Sequence, residues 1–271
     1  MFLIDQHIHS ACSPDSETPM RDMAVAAREH GISAVCFTDH LDMDDYVTGT
    51  LSEKWRTSWP DIRETGLALM ADPPEGIEIH VGMELGEANH DPERARAYTE
   101  APELDFVIGS LHNLKDTTDF YYIDYQSEEE CRNLNALYLA ELRQLAELDF
   151  FDVVGHIGYT TRYMRRKGFY TSITAGEHRE VLTEIFRLLI RKGQGIEVNC
   201  SGIRAGGESF PNASVLGLYR ELGGEIITVG SDAHNTADAG IGIREGYELL
   251  QSLGYRYVAQ FKKRKPIFLP L

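Results

Sequence analysis

The chain has 271 residues, 42% hydrophobic and 25% charged, with a mean hydropathy of −0.30. That composition fills a sizeable core and excludes a disordered chain. Its 26 lysines and arginines against 43 aspartates and glutamates leave a net charge of −17 and a pI near 5.0, a field that repels nucleic-acid phosphates. Phe2–Gln6 reads as the first strand. Thr18-Pro19 opens a helix with Pro19 at its first position, and Gly31 closes it. Ala34–Phe37 is the second strand. Residues 41–75 follow no clean period: Pro60 interrupts the pattern around Trp55 and Trp59, Asp72-Pro73-Pro74 makes a turn, and the segment reads as helix plus irregular excursion.

Ile77–Met83 and Phe106–Ile108 read as strands three and four. Ser127, followed by three glutamates, caps a long helix to about Leu148, because a cap side chain and acidic residues suit the positive helix start. Phe151–Val154 is strand five, Thr174–Lys192 a helix stopped by Gly193, and Gly195–Val198 strand six. A helix from Asn212 to Leu222, strand seven at Glu225–Val229 and a helix from Asp238 to Leu253 complete the pattern. The basic tail Lys262–Lys265 flanks a terminal strand or arm and reads as a solvated run. Repeated strand-then-helix units imply a parallel sheet, and seven of them without a linker favour a closed α/β barrel in one domain, residues 1–271.

No apolar run approaches the ~18 residues of a bilayer span, and MFLIDQHIHS has neither the basic nor the apolar region of a secretory signal. Cys12, Cys36, Cys131 and Cys200 are widely spaced and form no CxxC pair, so they read as structural thiols of a reduced, cytoplasmic protein.

The chemistry lies in the histidines. Of ten, His7, His9, His40, His112, His156 and His234 each fall just beyond a strand. In a βα barrel the strand C-termini share one mouth, so these six rings meet in a small volume. Burying six imidazoles there without a metal would require a partner for every ring nitrogen. His7 and His9 are two apart on extended backbone and point the same way, with Ile8 packed behind. Ser231-Asp232-Ala233-His234 repeats that spacing with a carboxylate, and Glu84 ends strand three between Gly82 and Gly86. With Glu84, Asp232 and Asp15 there are nine candidate ligands, enough for two or three divalent ions, Zn, Mn or Fe, with Glu84 bridging. Two ions about 3.5–4 Å apart clamp a phosphoryl group and acidify a water, and positive charge in the mouth lets an acidic protein bind an anion.

The set Asp5-x-His7-x-His9, Thr38-Asp39-His40, Glu84, His112, His156 and Ser231-Asp232-Ala233-His234 resembles the PHP (polymerase and histidinol phosphatase) family, in the family's order from residue 5 to residue 235. The resemblance implies a distorted, TIM-like (β/α)7 barrel with a trinuclear metal centre. It puts His7, His9, Glu84 and Asp232 on the first metal, Glu84, His112 and His156 on the second, and His40 and His234 on the third. At the third site many members use a His in the loop after strand one, where this chain offers Asp15, a harder ligand that favours Mn or Fe. Gly155-His156 with Arg162-Tyr163, and Glu197–Arg204 with Phe210-Pro211, resemble the histidinol-phosphatase branch.

That branch implies hydrolysis of a small phosphate monoester, L-histidinol phosphate, in histidine biosynthesis. A metal-bridging hydroxide would attack phosphorus in line with the leaving alkoxide, and Arg162 and Arg204 would hold phosphate oxygens. Asp232 doubles as ligand and proton handler, and His234 or a metal-bound water protonates the leaving oxygen. The alternatives are a phosphoesterase for nucleotides, an amidohydrolase-like enzyme, whose bridging group normally follows strand four, and a metal-binding module without catalysis. The expected partner is a small phosphorylated substrate, with neither membrane nor nucleic acid, and no feature sets an oligomeric state. Arg165, Arg166 and Lys167 read as a solvated loop face, and Asp42, Asp44 and Asp45 as a solvated acidic turn. His80 reads as a structural hydrogen-bonding group; His30, His90 and His178 carry no role.

Overall fold

The computed structural model describes residues 2–52, 55–205 and 207–271. β1 (Ile4–Ile8), β2 (Ala34–Phe37), β4 (Glu78–Gly86), β5 (Phe106–Ser110), β6 (Val153–Val154), β7 (Gly195–Asn199) and β8 (Ile227–Gly230) lie side by side in that order, all parallel, and β3 (His40–Asp42) continues the line of β2 along β4. The circle closes where the backbone past β8 meets β1: Asp232 N donates to His7 O at 2.7 Å and His9 N to Ala233 O at 2.9 Å. This is a nearly closed seven-stranded α/β barrel. Strands read as short Ile, Val and Phe runs because both of their faces are buried.

Helices wrap the outside. In α1 (Met20–Glu29) Met20, Met23, Ala24 and Ala27 face the sheet. α4 (Glu128–Leu145) is capped by Ser127, whose Oγ accepts from Glu130 N at 3.1 Å, and buries Tyr138, Leu139 and Leu142. α6 (Arg179–Lys192) ends at Gly193, with φ 70°, a left-handed position that suits glycine. α8 (Ala213–Glu221) is capped by Asn212, and α9 (Ile243–Ser252) precedes β9 (Tyr257–Lys262) and β10 (Lys265–Pro270). Among the described residues no helix is long and apolar enough to cross a membrane.

Several expectations shift. β1 runs two residues further than the apolar run Phe2–Gln6 suggests, because His7 pairs its carbonyl with the β8 side. Pro19 is the cap of α1, one place before its first residue. α2 (Trp55–Ala71) runs through Pro60, whose missing N–H removes one link close to the helix start; the Trp55 side chain lies outside the described residues. α6 begins at Arg179, after a turn in which Glu177 N donates to Thr174 Oγ1. α9 begins at Ile243 because Gly240 and Gly242 hold φ 74° and 89°. Short helices α3 (Pro92–Thr99), α5 (Tyr159–Arg166) and α7 (Ser201–Arg204) fall where the sequence predicts no helix, and the expected loop face at Arg165 and Arg166 is the end of α5, where Arg165 bonds Glu208.

The basic tail is the turn of the β9–β10 hairpin, and it is not solvated throughout. Arg264 donates to Asp152 at 2.6 Å and to the Phe150 carbonyl at 2.8 Å. β9 plugs the end of the barrel opposite the strand C-termini. Gln6 bonds Ala259 O and Phe261 N, and Gln260 meets His80 at 2.9 Å. Phe261 stacks on Phe106 at 5.0 Å within a small second core with Cys36, Ile108 and Val153. Phe261→Ala is therefore expected to lower stability by about 3–5 kcal/mol, read as a lower denaturant midpoint at unchanged slope.

On the other side, His90 ties the loop after β3 to α4, with Nδ1 2.7 Å from Asp44 and Nε2 2.8 Å from Glu141. Burial opposes its charge, but these two carboxylates outweigh that and raise the pKa from 6.5 to about 9. The raised value means that the stabilisation is complete below pH 6.5 and lost as pH rises through about 9. Urea unfolding between pH 6 and 10 should show this decline, and His90→Gln should remove it.

Candidate metal centre

Strand ends deliver the predicted residues to one place. His7 lies in β1 with His9 just beyond it, His40 opens β3, and Glu84 lies near the end of β4. His112 and His156 follow β5 and β6 by two residues, and Asp232 and His234 follow β8. Their side chains are buried or nearly so, His234 being the most open at 24% exposed. The alternation of β1 turns His7 and His9 to the same side, with their Nε2 atoms 3.1 Å apart, and sends Ile8 into the core.

Glu84 is the hub. Its Oε1 lies 3.2 Å from His112 Nε2 and 2.8 Å from His156 Nε2, and accepts from Ser110 Oγ at 2.6 Å. Its Oε2 lies 3.2 Å from His7 Nε2, 3.5 Å from His9 Nε2 and 3.1 Å from His40 Nδ1. Yet Oε2, His40 Nδ1 and His234 Nε2 make no hydrogen bond with acceptable geometry. Ligand atoms lie within 4.8 Å of one another in five overlapping groups: His7, His9 and Asp232; His7, Glu84 and His156; His40, Glu84 and His112; His9, His40 and His234; and Asp42, Glu87 and His112. Buried polar atoms without hydrogen bonds, converging as nitrogen and oxygen donors, are what a cluster of divalent ions satisfies. The donor set fits such ions.

The field points the same way. Burial works against a charge on Glu84, but the imidazoles of His7, His112 and His40 hold it well below the usual carboxylate range. Asp232 is likewise held down against burial, by Arg162 first and then by His9, His7 and His234. Burial, with His234 and His40 beside it, lowers His9 to about 3, which leaves its lone pair available. His7, His40 and His112 are raised despite burial, by Glu197, Asp42 and Glu84. The carboxylates thus favour positive charge at the centre, which metal ions supply as protons leave. Asp15 reaches the rim: its Oδ2 is 3.0 Å from His234 Nε2 and 3.7 Å from His40 Nε2.

Behind the imidazoles stand residues without an assigned role in the sequence. Glu197 Oε1 lies 2.7 Å from His7 Nδ1, and its other oxygen accepts from His156 N at 2.8 Å. Ser13 Oγ joins His9 Nδ1 at 3.0 Å to Asp39 at 2.7 Å, and Asp5 accepts from Ser231 N and Oγ. Such outer carboxylates fix ring orientation. Their signal in the sequence is an acid inside a fully buried strand, as in GIEVN. The expected acidic turn is not solvated: Asp42 and Asp44 are buried, and Asp42 Oδ1 lies 3.5 Å from His40 Nδ1 and 3.4 Å from His112 Nδ1. Asp232 adopts φ 55°, a left-handed backbone that turns its carboxylate to the centre.

Arg162 Nη2 donates to Asp232 Oδ2 at 2.8 Å, bonds Ser201 as well, and sits 5.1 Å over the Tyr159 ring. Arg204 donates to Ser231 O at 2.6 Å and pairs with Asp238 at 3.2 Å. Both line one cavity of about 520 Å³. His80 is structural, 3.2 Å from Asp105, and His30 bonds the Ala239 carbonyl. The cysteines form no disulfide; burial raises the thiols of Cys36 and Cys200 well above their ordinary value, which disfavours the reactive thiolate.

Comparison with known proteins agrees with this geometry. The PHP domain model matches residues 5–201. A histidinol-phosphatase of Lactococcus lactis subsp. lactis is 29% identical over 272 residues, spanning 98% of this chain and 96% of that protein. A Thermotoga maritima protein named "Probable histidinol-phosphatase" is 25% identical over 95% of each chain. Among solved structures, histidinol phosphate phosphatase from L. lactis, complexed with Zn, L-histidinol and phosphate, superposes with a TM-score of 0.79 at 28% identity, covering 98% of both chains. A Listeria monocytogenes structure shares the fold, with a TM-score of 0.69 at 17% identity over 89% of this chain and 99% of that one. With the family model covering most of its length and the imidazole cluster at the strand ends, the chain belongs to the PHP domain family.

Proposed function

We propose that this protein is a metal-dependent phosphomonoesterase that converts L-histidinol phosphate to L-histidinol and phosphate, a step of histidine biosynthesis. The observation that carries the reading is Glu84, whose two oxygens each face a separate set of imidazoles. Full-length similarity to the L. lactis phosphatase supports the substrate.

His7, His9, Glu84 and Asp232 would hold one ion, Glu84, His112 and His156 a second, and His40, His234 and Asp15 a third. Zn, Mn or Fe bound there neutralises phosphoryl oxygens and supplies an acidified water as nucleophile. The chain's own groups place the substrate around that point. Arg162 is fixed by Asp232 Oδ2 and Ser201, which leaves Asp232 Oδ1 turned to His9 Nε2 at 3.6 Å. The guanidiniums of Arg162 and Arg204 flank the cavity beside Asp232 and suit two phosphate oxygens. His234, the most open imidazole of the cluster, can exchange a proton with the leaving oxygen's surroundings. The reduced cysteines fit a cytoplasmic enzyme.

Purified protein loaded with Zn or Mn should release phosphate from L-histidinol phosphate faster than from nucleoside monophosphates; the reverse order would replace the substrate. Chelation should abolish release, and added metal should restore it. Glu84→Gln should lower both metal content, by elemental analysis, and turnover at least roughly 100-fold; full metal occupancy would refute its bridging place. Glu197→Gln should weaken metal binding roughly 10–100-fold in competition with a chelating dye, with the fold intact by circular dichroism.

A further inference from the structure

Two cavities of opposite character flank the imidazole cluster. The one already described carries Arg162, Arg165, Arg166 and Arg204. The other, about 370 Å³, runs outward from His40 and His112 to Asp119, and among the described residues no lysine or arginine lines it. One wall is a chain of tyrosines in ring contact: Tyr46 with Tyr122 at 6.2 Å, Tyr122 with Tyr121 at 5.0 Å, Tyr121 with Tyr163 at 5.6 Å, and Tyr163 with Tyr159 at 5.1 Å. Tyr121 and Tyr122 stand 57% and 52% exposed at the rim. Large rings left open beside a reactive cluster suit contact with a ligand. Asp119 is fixed by its own loop: Oδ1 accepts from Tyr121 N at 2.7 Å, and its amide donates to Tyr46 O at 3.0 Å. No arginine or lysine pairs with it among the described residues.

Phosphate is drawn to the arginine side, so the alcohol portion of the ester extends toward the acidic, aromatic side. A carboxylate facing ring faces is a receptor for a cation, through ion pairing and cation–π attraction. The same wall repels a second anionic group. We propose that this recess receives the organic end of the ester as a nitrogen cation, an ammonium or a protonated ring, and that Asp119 and Tyr122 set the preference for cationic esters. The proposal rests on the phosphomonoesterase reading above and adds the groups that choose the substrate.

Three esters separate the contributions in the metal-loaded protein. L-histidinol phosphate carries ring and cation, phosphoethanolamine an ammonium without a ring, and p-nitrophenyl phosphate a ring without a cation. In the unaltered protein kcat/KM should favour the two cationic esters. Asp119→Asn should cut their kcat/KM relative to p-nitrophenyl phosphate at least about tenfold, chiefly through KM. Tyr122→Ala, at an exposed position, should lower L-histidinol phosphate turnover more than phosphoethanolamine turnover. Unchanged ratios in both variants, or an equal fall on all three esters, would overturn the assignment. An unaltered protein that cleaves p-nitrophenyl phosphate without favouring cations overturns the recess and leaves the phosphatase reading standing. A metal-loaded protein inactive on all three sinks both.

Discussion

One buried carboxylate organises the active end of this molecule. Glu84 stands 1% exposed at the end of β4, and five imidazole nitrogens come within 3.5 Å of its two oxygens. A lone anion there would pay a heavy desolvation penalty, and imidazoles crowded together would repel one another once protonated. Positive charge between the donors offsets both costs, which is why the donor set fits divalent ions.

The barrel separates this demand from the rest of the core. At the strand C-termini the interior is filled by histidines and acids, with the residues behind them fixing each ring: Glu197 behind His7, Ser13 and Asp39 behind His9, Asp42 beside His40 and His112. At the opposite end β9 seals the barrel with Phe261 and Ala259 in a small apolar cluster, beside the buried hydrogen bonds of Gln6, His80 and Gln260. Glycines keep the channel between the layers narrow: a side chain at Gly230 would come within 2.2 Å of His7 Cβ and 2.5 Å of Glu197 Oε1. Precision at the mouth thus depends on close packing beneath it.

Charge is also sorted across the mouth. The chain is acidic as a whole, yet four arginines gather on one side of the cluster, and tyrosines with Asp119 on the other. An overall charge of −17 says little about which charged side chains line each side of one small mouth.

Strand-end histidines make the barrel and its candidate centre legible in the sequence, because each candidate donor follows a short apolar run and the fold forces those run ends together. The same holds for the Ser127 and Asn212 caps, where the chemistry is local. What lay outside local pattern was read poorly. Asp42 and Asp44 sit in a polar stretch that looks solvated, and Arg264 in a basic run that looks like a tail; their placement is imposed by partners about 70 to 110 residues away, among them His112, Asn113 and Asp152. The tyrosine wall joins Tyr46, Tyr122 and Tyr163 from three separate loops and helices, with no spacing to announce it. The sequence alone determined which residues could bind metal, since donor chemistry is a property of the side chain. Only the tertiary structure decided which oxygen of Glu84 faces which ring, which acids stand behind them, and on which side of the mouth the arginines gather, since those depend on distances between strands remote along the chain.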